Sequence, residues 1–266
     1  MRTCGLRRER RCSKLHDLRE TPEPELKNMS LQGKLEALRQ QFGVETRSDA
    51  LIAILRAVEN VVTANHAAKA LKAGSRAPSF ELEGQRKVSV DLTDQLTRGP
   101  VVLLFYRGAW CPACNLELQA IQAEASAVSR LGASIIAISP QTSEQSQKVV
   151  KRFGLNFQIL KDAGGRVANE FGLNWTVPTE IRKLYLGLGI DLAKFNGDEH
   201  WSVPLPARYV IGRNQVIEYA EINANDEQRL NPADLFPALE SQERRSKPRA
   251  PAADSDTSSK TRRAVT

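Results

Sequence analysis

Residues 101–118 read VVLLFYRGAWCPACNLEL, and the interpretation of this stretch decides the fold. Its first six residues are a short continuous apolar run of the kind buried in a central strand. Arg107 and Gly108 break the run. From Pro112 onward, Leu116, Leu118, Ile121 and Val128 recur at helical spacing with polar residues between them, so a strand feeds directly into a helix. Cys111 and Cys114 fall at the first turn of that helix. Unpaired backbone N–H groups and the positive end of the helix dipole favour an anion there, which inclines a thiol toward thiolate. Pro112 suits the first helical turn, where no N–H is needed.

On the N-terminal side, residues 77–92 (APSFELEGQRKVSVDL) predict a strand, a Gly-containing turn and a second strand. On the other side the cysteine helix extends to about Leu131. Residues 134–139 (SIIAIS) predict another buried strand, 143–153 a helix and 157–160 a strand. Strands alternating with helices in this way pair in parallel through crossover helices. Residues 164–204 are less regular, with a short helix at 166–171. Residues 207–211 and 216–222 predict an antiparallel hairpin through 212–215, and 232–240 a closing helix. The expected class is α/β, a central mixed sheet flanked by helices.

The ends differ in character. Residues 1–28 are charged, contain Pro22 and Pro24 and show no sustained apolar period, which predicts disorder. Residues 29–74 predict a helical extension. Its first helix carries Leu31, Leu35, Leu38 and Phe42 on one face, and its second starts at Ser48 and runs to Ala73 before Gly74. Met29 is an alternative start. The main domain occupies 75–243, and 244–266, rich in Pro, Ala, Ser and charge, is expected to be a disordered tail.

Four cysteines in 266 residues, two of them as Cys-Pro-Ala-Cys, suit one redox pair in a reducing compartment rather than a secreted disulfide framework. A zinc site needs two further ligands, and Cys4 and Cys12 have the wrong spacing, so neither metal nor cofactor is expected. The net charge of +7 divides into +3 over residues 1–27, +4 over 243–266 and zero between, where 23 basic residues balance 23 acidic ones. The folded part thus lacks the basic balance of a nucleic-acid-binding domain. No apolar run approaches the roughly 20 residues that cross a bilayer, and the start has no secretory h-region. The expected location is cytoplasmic, without nucleic-acid or membrane partners.

The order of strand, Cys-x-x-Cys at a helix start, crossover strands and final hairpin with a closing helix resembles a thioredoxin-like fold. Around the cysteines the resemblance is to peroxiredoxins of the alkyl hydroperoxide reductase and thiol-specific antioxidant family, in a branch with FYRGxWCPxC. It covers about residues 75–240 and includes APSFEL, AISPQ, LPARYVIG and EINANDEQRLNPADL. That resemblance implies a thiol peroxidase acting on hydrogen peroxide or small organic hydroperoxides, with thioredoxin or a similar dithiol as reductant. A dithiol–disulfide oxidoreductase and a redox sensor are the rival readings.

Two registers compete for the attacking sulfur. Against the peroxiredoxin pattern, FYRGAWCPAC places Cys114 on the peroxidatic cysteine, Cys111 on its Thr and Arg107 on its Pro, with no gap. Against thioredoxin, Trp110 and Cys111 are the WC of the motif and Cys111 attacks. The first register is the favoured one. The resemblance also implies Arg229 as an active-site guanidinium, with Arg107 as its substitute, and Pro206 as the cis-proline held against the cysteine pair. Trp110 and Trp201 are candidates for the pocket wall, and His200 is a candidate proton carrier.

Overall fold

The computed structural model describes Gly33, residues 67–223 and residues 231–246. Gly33 and Ala67 are helical. Arg229, the expected N-terminal disordered segment, the rest of both extension helices before residue 67 and residues 247–266 lie outside the described residues.

The central strand β3 (Val101–Phe105) has all five residues buried, as its unbroken apolar run requires. It pairs in parallel with β4 (Ser134–Ser139) and antiparallel with β8 (Ala207–Ile211). Strand β5 (Gln158–Lys161) adds in parallel to β4, and β9 (Ile217–Ile222) adds antiparallel to β8. The resulting order is β5-β4-β3-β8-β9, a mixed sheet as the sequence implies. A separate hairpin joins β1 (Glu81–Glu83) and β2 (Ser89–Asp91).

Because side chains alternate across a strand, β3 divides the interior in two. Val102, Leu104 and Tyr106 face one core with Cys114, Leu118, Ile121 and Val128. These last four lie on helix α2 (Pro112–Arg130), a 19-residue helix. Leu103 and Phe105 face a second core with Phe171, Trp175, Tyr185 and Tyr209. There the Phe105 ring lies 5.0 Å from Phe171 and meets Tyr209 edge-on at 6.2 Å.

Several elements depart from the sequence expectations. Helix α1 (Leu92–Arg98) follows β2 immediately, and the Asp91 carboxylate caps it by accepting from the Asp94 N–H at 3.0 Å. Two apolar positions one turn apart give such a short helix little periodic signal. Helix α3 (Ser143–Phe153) coincides with expectation, capped by Thr142 and ended by Gly154 in the left-handed region. Helix α4 (Arg166–Glu170) is followed by four elements that the sequence did not resolve: β6 (Asn174–Thr176), α5 (Thr179–Gly187), α6 (Leu192–Asn196) and β7 (Ser202–Pro204). β6 and β7 pair antiparallel.

Two boundaries also move. The second extension helix does not reach Ala73: residues 68 and 69 form a turn. Beyond it Leu71 N–H donates to the Phe171 carbonyl at 3.0 Å and Gly74 N–H to that of Ile217 at 2.8 Å. These contacts draw the chain out along the domain, against helix propensity. At the other end a 3-10 turn, Pro232–Leu235, leads into α7 (Phe236–Ser246). That helix includes residues 244–246 of the expected tail, because Arg245 pairs with Glu218 of β9 at 3.0 Å.

Gly99 precedes β3 where the chain passes close to the β4 entry. A Cβ there would lie 1.9 Å from the Gly132 carbonyl oxygen, a backbone atom that a rotamer change cannot move. Gly99→Ala is therefore expected to cost about 2 kcal/mol or more. The measurement is urea denaturation, and an unchanged midpoint would contradict this account of the strand entry.

Candidate active site

The site grows from the end of β3. Tyr106 extends the ladder by donating its N–H to the Ile138 carbonyl at 3.1 Å, and then the chain turns. Gly108 makes the turn with φ of +139°, and a Cβ on it would meet the Trp110 indole nitrogen at 2.9 Å. Glycine satisfies both demands. The carbonyl of Gly108 accepts from Cys111 N–H at 3.1 Å, which aims Cys111 into the helix-capping position.

Cys111 is the N-cap of α2, with extended φ and ψ of −92° and 107°, and Pro112 follows in the first turn. The Cys111 sulfur accepts the Cys114 backbone N–H at 3.4 Å, the role that a Ser or Thr oxygen plays at most helix starts. Neither sulfur is in a disulfide. Cys114 is completely enclosed, whereas Cys111 is 3% exposed.

Beneath Cys114 lies the Tyr106 phenol. Burial pushes its ionisation up and out of the usual tyrosine range, and the neighbouring Cys114 adds to the shift. Its oxygen accepts from Gln141 Nε2 at 2.7 Å. One turn beyond Cys114, Glu117 enters a buried ionic cluster. Its Oε1 lies 3.5 Å from Nε of Arg208, a residue that is itself fully buried. Arg208 Nη2 donates to both oxygens of Glu221, at 2.8 and 2.6 Å, and the Tyr219 hydroxyl donates to Glu221 at 3.2 Å. This cluster ties α2 to β8 and β9 at the level of the cysteines.

The candidates fall into place as follows. Arg107 is 4% exposed, directly after Tyr106. Trp110, half-buried, meets Tyr185 of α5 edge-on at 5.5 Å, and Tyr185 in turn meets Trp201 at 6.5 Å. Trp201 therefore belongs to the wall behind Trp110, capped by the Arg182 guanidinium at 5.4 Å from its ring. Since Phe105 faces Ala207 in the register, Pro206 lies level with Tyr106 at the mouth of the cysteine loop. Its peptide bond is not the cis bond expected of it: the described residues contain none. The Pro206 carbonyl accepts from Asn223 N–H at 2.8 Å, which carries the β8–β9 ladder one step further on an extended chain. His200 is on the surface, paired with Asp198 at 3.2 Å, and takes no part in the site. Among the described residues no group of side chains has the makings of a metal site, and no helix is long and apolar enough to cross a membrane.

A family model described as AhpC/TSA matches residues 73–220. The chain belongs to the AhpC/TSA family. Peroxiredoxin Bcp of Escherichia coli (strain K12) is 30% identical over 118 residues, which are 44% of this chain and 74% of that protein. Peroxiredoxin Q, chloroplastic, of Sedum lineare is 32% identical over 108 residues, 41% of this chain and 55% of the relative. Among solved structures, Peroxidoxin BcpB from Mycobacterium tuberculosis superposes with a TM-score of 0.51 at 22% identity, covering 67% of this chain and 99% of that one. That likeness establishes the thioredoxin-like fold of the AhpC/TSA domain.

Sequence reasoning missed the Glu117–Arg208–Glu221 cluster. A signal was present: a charged residue inside a strand whose sheet is covered on both faces has to be paired. Arg208→Met strands two buried carboxylates and is expected to cost about 3–5 kcal/mol. Adding Glu117→Gln and Glu221→Gln to it is expected to restore at least half of that loss in urea denaturation. No recovery would show that Arg208 matters by shape alone.

A further expectation concerns alkaline pH. Burial raises the ionisation of Tyr106 and Tyr209 in the folded chain, while unfolded tyrosines ionise near pH 10. Their contribution is complete below about pH 10 and is lost as pH rises above it, because the unfolded state then releases protons that the folded state keeps. Denaturation midpoints followed from pH 8 to 11 should fall over the last unit.

Proposed function

We propose that the protein is a thiol peroxidase that reduces hydrogen peroxide or small organic hydroperoxides at Cys111 and Cys114. The observation that carries this reading is the pair of reduced cysteines at the start of α2, one sulfur taking a helix N–H. The peroxiredoxin names of the E. coli and Sedum relatives support it.

In the proposed cycle a thiolate attacks one peroxide oxygen. The O–O bond breaks, the sulfur becomes a sulfenic acid, and the departing alkoxide or hydroxide takes a proton. The second thiol displaces water from the sulfenic acid and closes a disulfide. A dithiol such as thioredoxin returns two electrons and two protons, restoring both thiols. Residues three apart at a helix start have Cβ atoms about 5–6 Å apart, and a disulfide needs about 3.5–4.5 Å. A small shift of the capping residue closes that gap without unwinding α2.

The capping geometry favours Cys111 as attacker. Its sulfur receives the backbone N–H, faces the helix dipole and is the less enclosed of the two. The gapless peroxiredoxin register favours Cys114 instead, with Cys111 as the resolving thiol. The fold should tolerate Cys111→Ser, since a serine hydroxyl also caps a helix.

Mass spectrometry after one equivalent of peroxide separates the two assignments. If Cys111 attacks, Cys114→Ser accumulates a sulfenic acid on Cys111, and Cys111→Ser is inert. The opposite pattern assigns attack to Cys114. If neither variant forms a sulfenic acid, and the unaltered protein reduces insulin disulfides but not peroxide, the peroxidase reading fails in favour of a disulfide reductase.

A further inference from the structure

Gln141 lies outside the cysteine motif, 27 residues beyond Cys114 and two past the end of β4, yet it is completely buried. Both amide hydrogens and the carbonyl oxygen of its carboxamide are engaged. Oε1 accepts the Ala109 backbone N–H at 2.8 Å, while Nε2 donates to the Tyr106 hydroxyl at 2.7 Å and to Ser146 Oγ of α3 at 3.0 Å. Its backbone N–H is held by Ser139 Oγ at 3.3 Å. The side chain thus joins three pieces of structure: the end of β3, the first turn of α3 and the middle of the loop that delivers Cys111.

At the centre of that loop the backbone of Ala109 is held on both sides. Ala109 offers one N–H and one carbonyl. The carbonyl accepts from Asn115 Nδ2 at 2.8 Å, and Gln141 takes the N–H. The bond from Cys111 N–H to the Gly108 carbonyl, at 3.1 Å, is internal to the loop. Gly108, at a φ that gives it wide conformational freedom, sits beside this anchor: a Cβ on it would lie 3.4 Å from Gln141 Oε1.

We propose that Gln141 is a positioning residue for the redox pair: by clamping the Ala109 amide it holds Cys111 in the N-cap position where the sulfur receives the Cys114 N–H. With the clamp gone, the Ala109 N–H loses its buried acceptor, the loop gains freedom about Gly108, and Cys111 spends less time in its capping geometry. The consequence for the thiol follows from the cap itself. A sulfur away from the helix N-terminus loses both a hydrogen bond and the dipole that favour its anion. Other charged or titratable side chains around the pair are Tyr106 and Arg107 before the loop, Glu117 on α2, Arg208 on β8, and Glu221 and Tyr219 on β9. Of these, Tyr106 touches Gln141 directly and loses one hydrogen bond in a Gln141 variant.

The inference about thiol position stands on geometry, and only its catalytic consequence rests on the peroxidase reading. The test therefore uses two measurements on the full chain. Iodoacetamide alkylation of Cys111 is followed against pH in the Cys114→Ser background, with and without Gln141→Leu. Gln141→Leu is expected to move the pH midpoint of alkylation upward by about 0.7 unit, since a helix cap is worth about 1 kcal/mol. Gln147→Leu serves as a structural control: it removes a hydrogen bond from α3 to the Gln85 carbonyl at 2.8 Å and should leave the profile where it was. A Gln141→Leu profile that coincides with its parent, or an equal shift from Gln147→Leu, overturns the proposal. Peroxide turnover with both cysteines present should fall in parallel with Gln141→Leu. If alkylation shifts while the unaltered protein shows no peroxide turnover, the positioning role holds and the peroxidase reading fails. Should Gln141→Leu not fold, amide exchange on the unaltered protein decides: Ala109 N–H is expected to be protected about as well as the sheet, and exchange at the rate of an open loop overturns the clamp.

Discussion

A helix that starts at the end of a buried strand begins with backbone N–H groups that have neither a helical partner nor water. At the start of α2 the Cys114 N–H faces this problem, and the Cys111 sulfur meets it at 3.4 Å. The chemistry of the site and the stability of the helix start share that one contact. The capping residue must enter at an extended backbone angle, which fixes the turn at Gly108. The turn fixes the loop, and the loop needs anchors on both sides of Ala109. Gln141 and Asn115 provide them.

The Glu117–Arg208–Glu221 cluster holds the other end of the same unit. Buried ion pairs contribute little net stability against apolar packing, but removing one partner is costly. Such a cluster therefore tolerates few arrangements of its elements. Arg208 faces Leu104 across the β3–β8 register and reaches Glu117 on the helix above. In consequence α2 cannot slide along the sheet without breaking a charge contact in the interior. The cluster sets where the helix lies, and the cap sets where it begins.

Much of this architecture was legible in the sequence. β3, α2, β4, α3 and the β8–β9 hairpin announce themselves through long or clean apolar periods, and the cysteine motif falls at a strand–helix junction that periodicity alone reveals. The segment from β6 to β7 was not legible because its four elements are short: Trp175, Ile181, Tyr185, Leu192 and Val203 are buried against one another rather than along one face. Gln141 read as an ordinary polar residue after a strand. Its importance is a matter of what surrounds it, and a single polar letter carries no mark of burial. Pro206 was expected in the cis form against the cysteine pair, and the described residues contain no cis peptide bond.

The difference in burial between Cys111 and Cys114 would give the reductive half of the proposed cycle a direction. Cys114 is fully buried, so in the proposed cycle an incoming donor thiolate would meet Cys111 as its electrophile. The mixed disulfide then forms on Cys111, and Cys114 is the leaving group. A departing thiolate at that position lies within the first helical turn, where the dipole stabilises it, and good leaving groups accelerate exchange. In that cycle the burial of Cys114 would select which sulfur of the disulfide a donor attacks, and an enclosed leaving thiolate would be poised to return and expel the donor.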